Sequence, residues 1–244
     1  MKAFISDFDG TIFFPEREEK ISRNDVYAIK ELKKENLFGI CTGRPLAGLD
    51  SLFDVGIECD FYILTNGALI LDRNRNPLLK ATFKKEDIIS LIELIKPYEF
   101  VFQTTEDLIA LKKNAMFPAP QKLVGDITPY LDQVIGISIA TPSEEIAKKL
   151  SEEISKQYDL SAFPNQFYVD IIDKKCSKGN AVNFIRNHFS LEKVFAIGDS
   201  YNDLSMLNAA DVSFTFQESS KDVKRVADYV VKSLSEAVDQ FDGK

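Results

Sequence analysis

Short apolar runs bounded by turn residues recur along the chain at Ala3 to Phe8, Leu37 to Cys41, Phe61 to Leu64, Val194 to Ile197 and Val212 to Phe216. Continuous apolar runs of this length read as buried strands. Most of the stretches between them carry apolar positions at helical spacing. Val26, Ile29, Leu32 and Lys33 predict a helix over Asn24 to Glu35, with Ser22 or Asn24 as its N-cap, and Ala181, Phe184, Ile185 and His188 predict another over Lys178 to Phe189. Strands alternating with helices predict an α/β fold in which helices cover a parallel sheet.

The middle of the chain follows a different pattern. From Phe83 to Asp173 it predicts a helix (Lys85 to Lys96), extended stretches (Phe100 to Thr104 and Val134 to Thr141), a second helix (Ser143 to Tyr158) and a further strand (Gln166 to Ile172). Asn114 to Pro120, with Pro118 and Pro120, reads as a loop. This is the signature of an inserted α+β module. It divides the chain into a core of residues 1–82 and 174–244 and an insert of residues 83–173.

Composition narrows the partners. The chain has 244 residues, 45% hydrophobic and 28% charged, which is the balance of a globular protein. A net charge of -8 repels the phosphates of nucleic acid and the anionic face of a membrane, so neither is an expected partner. Cys41, Cys59 and Cys176 are far apart and lack metal-site spacing, which fits a reducing cytoplasm. Asp7 and Asp9 interrupt the first apolar run, so it does not read as a signal peptide, and no run reaches the length of a membrane span.

The candidate chemistry lies at strand ends. Three apolar runs stop at polar clusters: Asp7-Phe8-Asp9-Gly10, Thr42-Gly43-Arg44 and Gly198-Asp199-Ser200. Ligands of open α/β sheets gather outside the carboxyl ends of the strands, so the clusters are expected to share one crevice. Side chains alternate along a strand, which turns Asp7 and Asp9 the same way, and Gly10 permits a sharp turn after them. Two carboxylates held that close call for a cation between them or a retained proton. Octahedral Mg²⁺ answers the first need, and an unlike acid–nucleophile pair answers the second. A calcium loop is disfavoured, because Ile12, Phe13, Phe14 and Pro15 follow where regularly spaced oxygen ligands would be required. Lys178 opens a predicted helix, where the dipole disfavours a cation, and an anionic ligand nearby would resolve that conflict.

Asp7-Phe8-Asp9-Gly10-Thr11, Thr42-Gly43-Arg44, Ser177-Lys178-Gly179 and Gly198-Asp199-Ser200-Tyr201-Asn202-Asp203 resemble, in order, the four motifs of the haloacid dehalogenase superfamily of phosphohydrolases. Asn66-Gly67-Ala68, the long insert and Ser205-Met206-Leu207 further resemble its Cof-type branch. The resemblance implies a Rossmann-like parallel-sheet core with an inserted α+β cap. It also implies a Mg²⁺-dependent phosphatase of small phosphorylated metabolites, with sugar phosphates as the leading class. Asp7 would be the nucleophile that forms an aspartyl phosphate, and Asp9 the acid and then the base. Thr42, the Gly43 amide and Lys178 would hold the phosphoryl oxygens. Asp7, Asp199 and the Asp9 carbonyl would ligate the metal, with Asn202 and Asp203 supporting from behind.

Asp9 narrows the reaction within that superfamily to phosphatase or phosphomutase, with transfer to water expected. A phosphosugar mutase and a non-catalytic binding protein on the same scaffold are the alternative readings. Specificity is expected from the cap, with Asn165, Gln166, Tyr168 and Asp170 as candidate contacts. The cap contains no arginine, which leaves Arg44 as the candidate fork for a second anion. One departure is that Ser213 to Ser219 replaces the Gly- and Asn-Ala-containing stretch this branch carries beside the phosphate site.

Overall fold

The apolar runs assemble into an eight-stranded sheet, and the middle of the chain builds a second sheet of six. The computed structural model describes residues 1–117 and 119–241. Pro118 of the expected 114–120 loop, and residues 242–244 of the expected second core segment, lie outside the described residues.

Strands β1 (Lys2–Ser6), β2 (Leu37–Cys41) and β3 (Phe61–Leu64) run parallel, followed by an antiparallel pair, β4 (Leu69–Asp72) and β5 (Pro77–Lys80). The chain then builds β6 (Glu99–Gln103), β7 (Leu108–Ala110), β8 (Gln121–Leu123), β9 (Gly136–Ala140), β10 (Leu160–Asn165) and β11 (Tyr168–Asp173). It returns to the first sheet with β12 (Lys193–Ile197), β13 (Val212–Phe216) and β14 (Tyr229–Val231). The strand orders are β14-β13-β12-β1-β2-β3-β4-β5 and β10-β11-β9-β6-β7-β8. The helices are α1 (Arg23–Leu32), α2 (Asp50–Asp54), α3 (Lys85–Ile95), α4 (Glu144–Gln157), α5 (Lys178–His188), α6 (Leu204–Ala209), α7 (Lys221–Val226) and α8 (Leu234–Phe241). None of the described helices is long and apolar enough to cross a membrane.

The first sheet is buried on both faces, which is why its strands read as unbroken apolar runs rather than as alternating ones. On one face Phe4, Phe38, Ile40, Tyr62, Phe195 and Phe214 pack with Ile29 of α1 and with Leu234, Ala237 and Phe241 of α8. On the other, Ala3, Ile5, Phe61, Ile63, Val194 and Ala196 pack with Ala181, Val182 and Ile185 of α5 and Met206 of α6. Each large side chain so enclosed contributes about 1.5–3 kcal/mol.

The six-stranded sheet buries only one face under helices. Ile137, Ile139, Val169 and Ile171 pack there with Ile88, Leu91 and Ile95 of α3 and with Ala147, Leu150 and Ile154 of α4. Alternation turns the intervening residues Ser138, Asp170 and Ile172 toward the core, where Ile172 and the partly buried Phe163 join the core's apolar cluster. The result is a Rossmann-like α/β core carrying an inserted α+β cap. Residues 81–84 lead from β5 into α3, and residues 174–177 lead from β11 into α5, so each connector has four residues.

Candidate active site

Strands β12, β1 and β2 are adjacent and parallel, so their carboxyl ends open at one place. Asp7 follows β1, Thr42 follows β2, and Asp199 follows β12 by two residues. The ladder holds this rim in register: the Asp7 amide donates to the Ile197 carbonyl and the Thr42 amide to the Ile63 carbonyl, both at 2.9 Å.

A compact charge cluster occupies this rim. Lys178, the first residue of α5, is 1% exposed and donates to Asp7 Oδ1 and Asp203 Oδ1, each at 2.6 Å. Asp203, fully buried, uses its other oxygen to accept from the amides of Asp199 and Ser200, each at 3.0 Å. Those two carboxylates offset the unfavourable placement of a cation at a helix N-terminus. Asp199 Oδ1 accepts from the Thr11 hydroxyl at 3.1 Å. Gly10, at φ 76°, makes room for that carboxylate, because a Cβ at Gly10 would lie 2.7 Å from Asp199 Oδ2.

Carboxylate oxygens of Asp7, Asp199 and Asp203 lie within 4.8 Å of one another. Burial, reinforced by the Asp203 charge, raises the Asp7 carboxyl well above its ordinary range despite the pull of Lys178. Burial and Asp203 likewise push Asp199 up to about 6. Burial works to lower Lys178, but Asp203 and Asp7 raise its ammonium well above the ordinary value. Three carboxylates against one ammonium leave excess negative charge in a nearly dry site, so the residues fit a divalent cation. Asp203 has both oxygens engaged within the protein, which leaves Asp7 and Asp199 as the carboxylates free to hold the ion.

Asp9 faces a different cation. Arg44 donates from Nε to Asp9 Oδ2 at 2.8 Å and from Nη2 to Asp9 Oδ1 at 2.6 Å, while its Nη1 donates to the Gly48 carbonyl at 2.8 Å. The guanidinium carbon also lies 5.1 Å from the ring centres of both Phe8 and Phe13. This corrects two expectations. Strand β1 ends at Ser6, so Asp7 and Asp9 do not share a strand face but pair with Lys178 and Arg44 respectively. The Arg44 fork, expected to be open to a second anion, is engaged by Asp9. Thr42 Oγ1 accepts from the Arg44 amide at 3.1 Å and keeps its hydrogen for another acceptor.

Around the cluster, Asn202 Oδ1 accepts from the Ser200 hydroxyl at 2.6 Å. The departing Ser213–Ser219 stretch forms most of β13 and the turn after it. The Thr215 hydroxyl sits 2.7 Å from the Gly198 carbonyl oxygen and 2.8 Å from the Ser219 hydroxyl, bracing the residue that precedes Asp199.

From the cap, Asp170 reaches the same rim. Its Oδ1 accepts from the Ser138 hydroxyl at 2.5 Å, and Ser138 Oγ accepts from Gln103 Nε2 at 2.6 Å. Gln103 Oε1 in turn accepts from the core's Thr65 hydroxyl at 2.8 Å, so a polar chain crosses from core to cap. Burial pushes Asp170 up to about 6, against the opposing pulls of Ser138 and Asn66. A methyl group at Gly43 would come within 3.1 Å of Asp170 Oδ2. The other three cap candidates lie differently. Asn165 and Gln166 are exposed at the β10–β11 turn, and Tyr168 donates its hydroxyl to the Met116 carbonyl at 2.9 Å while its ring packs beside Phe117 and Phe167. Thr65, Gln103 and Ser138 had no role in the sequence reading, although Gln103 and Ser138 are polar residues among apolar strand neighbours, a pattern that marks the face opposite the cap helices.

The sequence profile of the haloacid dehalogenase-like hydrolase family matches residues 4–239. A phosphatase of Bacillus subtilis is 24% identical over 279 residues, covering 97% of this chain and 96% of that protein. A phosphoglycolate phosphatase of Sulfurisphaera tokodaii is 24% identical over 229 residues, covering 93% of this chain and 86% of its own length. Among solved structures, a HAD subclass IIB sugar phosphatase shares the fold with a TM-score of 0.82 at 23% identity, covering 99% of both chains. With a match over nearly its whole length and the four motif clusters gathered on one sheet edge, this chain belongs to the haloacid dehalogenase-like hydrolases and is a phosphoric monoester hydrolase.

Proposed function

We propose that the protein is a Mg²⁺-dependent phosphatase of small phosphorylated metabolites, sugar monophosphates foremost, acting through an aspartyl phosphate on Asp7. One observation carries the reading: Lys178 pins Asp7 Oδ1 at the rim of the sheet, and among the described residues no group donates to Asp7 Oδ2. That oxygen is the nucleophile. It attacks phosphorus while the ester oxygen leaves on the opposite side and takes a proton from Asp9. Asp9 then removes a proton from water, the water oxygen attacks the same phosphorus, and the Asp7 carboxylate is released together with inorganic phosphate. One group serves both half-reactions because the second reverses the proton demand of the first.

The Thr42 hydroxyl, the Gly43 amide and the Lys178 ammonium hold the transferring oxygens, since phosphoryl transfer depends mainly on positioning and charge stabilisation. Asp7 and Asp199, with the Asp9 carbonyl, are the proposed Mg²⁺ ligands, and Asn202 and Asp203 support them. When bound, the ion neutralises the phosphoryl oxygens. Residues 83–173 act as the specificity cap. Buried free cysteines at 41, 59 and 176 and the acidic surface support a reducing cytoplasm and no nucleic-acid partner.

Phosphate release from an aryl phosphate, measured after chelation and after adding back Mg²⁺ or Ca²⁺, tests the reading. Activity should vanish on chelation and return with Mg²⁺ but poorly with Ca²⁺, whose larger radius suits looser geometry. Full activity in the exhaustively chelated protein would overturn the metal assignment.

A further inference from the structure

In the proposed reaction the Gly43 amide holds a phosphoryl oxygen, and its direction is fixed from behind. The peptide unit is planar and trans, so the Thr42 carbonyl and the Gly43 N–H point opposite ways from one rigid plate. The Thr42 carbonyl accepts from the Asn66 amide at 2.9 Å, and the Arg44 carbonyl, one residue past Gly43, accepts from the Thr65 amide at 3.1 Å. Residues 65–66 therefore grip the phosphate loop on both sides of its donor.

The turn that does this is held in an uncommon conformation. Thr65 and Asn66 have φ of 49° and 50°, in the left-handed region, which is a genuine outlier for a β-branched threonine. Such strain persists only where the surroundings over-determine it. A glycine at position 65 would relieve it, so the threonine side chain has to supply something that glycine cannot.

What it supplies is a hold on the cap. The Thr65 hydroxyl donates to Gln103 Oε1 at 2.8 Å, and its methyl carbon Cγ2 lies against Gly136 so closely that no Cβ fits there. Gln103 and Gly136 are cross-strand partners on β6 and β9, so Thr65 rests on a single rung of the cap sheet. The other end of the Gln103 amide donates to Ser138 Oγ at 2.6 Å, which fixes the amide against rotation. Thr65 and Gln103 are both buried. The same turn is thus tied to the phosphate loop through its backbone and to the cap through one side chain.

We infer that Thr65 is a positioning residue through which the cap, by way of Gln103, sets the direction of the Gly43 amide. The Thr65–Gln103 bond holds the turn, the turn holds the Thr42 carbonyl, and the N–H at the far side of that peptide is aimed at the transferring phosphoryl group. Stabilisation of the phosphoryl oxygens is then coupled to seating of the cap and is not a property of the core alone. The effect falls on those oxygens and not on the leaving group, which separates Thr65 from Arg44 and Asp9. This deepens the phosphatase reading and rests on it.

The test measures kcat, KM and inhibition by orthovanadate, a mimic of the transferring phosphoryl group, with Mg²⁺ present and with an aryl and an alkyl phosphate as substrates. It compares the native protein with Thr65→Val, which keeps the shape and removes the hydroxyl, Gln103→Leu, the double variant and Thr65→Ser, which keeps the hydroxyl. Outright loss of an oxyanion donor costs about 10²–10³ in kcat, and a donor that is present but turned loses part of that, so Thr65→Val and Gln103→Leu should each lower kcat about tenfold. The factor should be the same for both esters, and vanadate should bind more weakly in proportion. The double variant should lose no more than either single one, because both break the same bond, and Thr65→Ser should retain most of the native kcat. If Thr65→Val does not fold, Gln103→Leu and Thr65→Ser carry the comparison. Native kcat and vanadate affinity in the folded variants, even with a lowered Tm, would overturn the positioning role, as would additive losses, a larger loss for the alkyl ester, or a serine variant as impaired as Gln103→Leu. Failure of the native protein to release phosphate from the aryl ester would instead overturn the phosphatase reading, and the positioning role with it.

Discussion

Arg44 holds Asp9 by a two-point fork, Nε to Oδ2 at 2.8 Å and Nη2 to Oδ1 at 2.6 Å. The arginine is itself anchored on the Gly48 carbonyl and over two phenylalanine rings, so the carboxylate proposed to handle the proton has its orientation set by a fixed partner.

Replacing Arg44 by lysine keeps the charge but removes the fork, because an ammonium acts as a point donor. The kcat for an alkyl phosphate should fall about 10- to 100-fold, part of the 10²–10⁴ that general acid–base catalysis supplies. An aryl phosphate, whose leaving group needs little protonation, should lose less. Equal losses across a series of leaving groups would remove Arg44 from the role of positioning Asp9.

Asp7→Asn should lower turnover by at least about 10⁴-fold, the scale on which removal of a nucleophile acts. It should not weaken the fold. The amide is nearly isosteric, relieves a group of three carboxylates of one charge, and leaves Lys178 paired with Asp203. Thermal unfolding of the chelated protein near pH 8 should give a Tm equal to or above that of the native chain. A substantially lower Tm, or retained kcat, would contradict this account of the cluster.

Asp170 makes stability depend on pH in a direction that can be worked out. Its carboxyl is raised to about 6 in the folded protein, above the value of about 3.9 for an unperturbed aspartate. The folded state therefore holds the proton more tightly. The stability this lends is fully present below about pH 4 and is lost as pH rises through about 6. Asp170→Asn does not titrate, so its Tm should gain on that of the native protein between about pH 4 and pH 7, with chelator present in both. Parallel Tm curves would show that burial does not set this carboxyl's affinity for protons.

The strands at the site were legible because their signals are local. Leu37–Cys41, Phe61–Leu64 and Val212–Phe216 begin and end where their apolar runs do, and Ser177 caps α5 one residue before Lys178. The β4–β5 pair was not marked, because β5 begins at Pro77 and lies partly exposed at the sheet edge, without a buried pattern to announce it. Strands β7, β8 and β14 have three residues each, too few to show a period. Pairings made by distant parts of the chain left no local trace. The Arg44–Asp9 fork joins residues 35 apart, and the surroundings of Asn66 are completed by cap residues that follow it by up to about a hundred positions. A short Asn-Gly pair can announce a turn, but not which side chains will later close around it.

The two four-residue connectors, 81–84 and 174–177, bear on how large a substrate can be. The four residues of each can span at most about 14 Å even when fully stretched, and both leave the core on the way to one module. A lid strapped at two such points can tilt, like a hatch on a pair of short hinges, but it cannot travel away from the opening. A phosphoester that fits beneath the tilted hatch can be sealed from water, whereas one that projects far past the rim holds it ajar. If the inserted module closes over a phosphoester, the length of its two backbone straps limits how far it can lift to admit one.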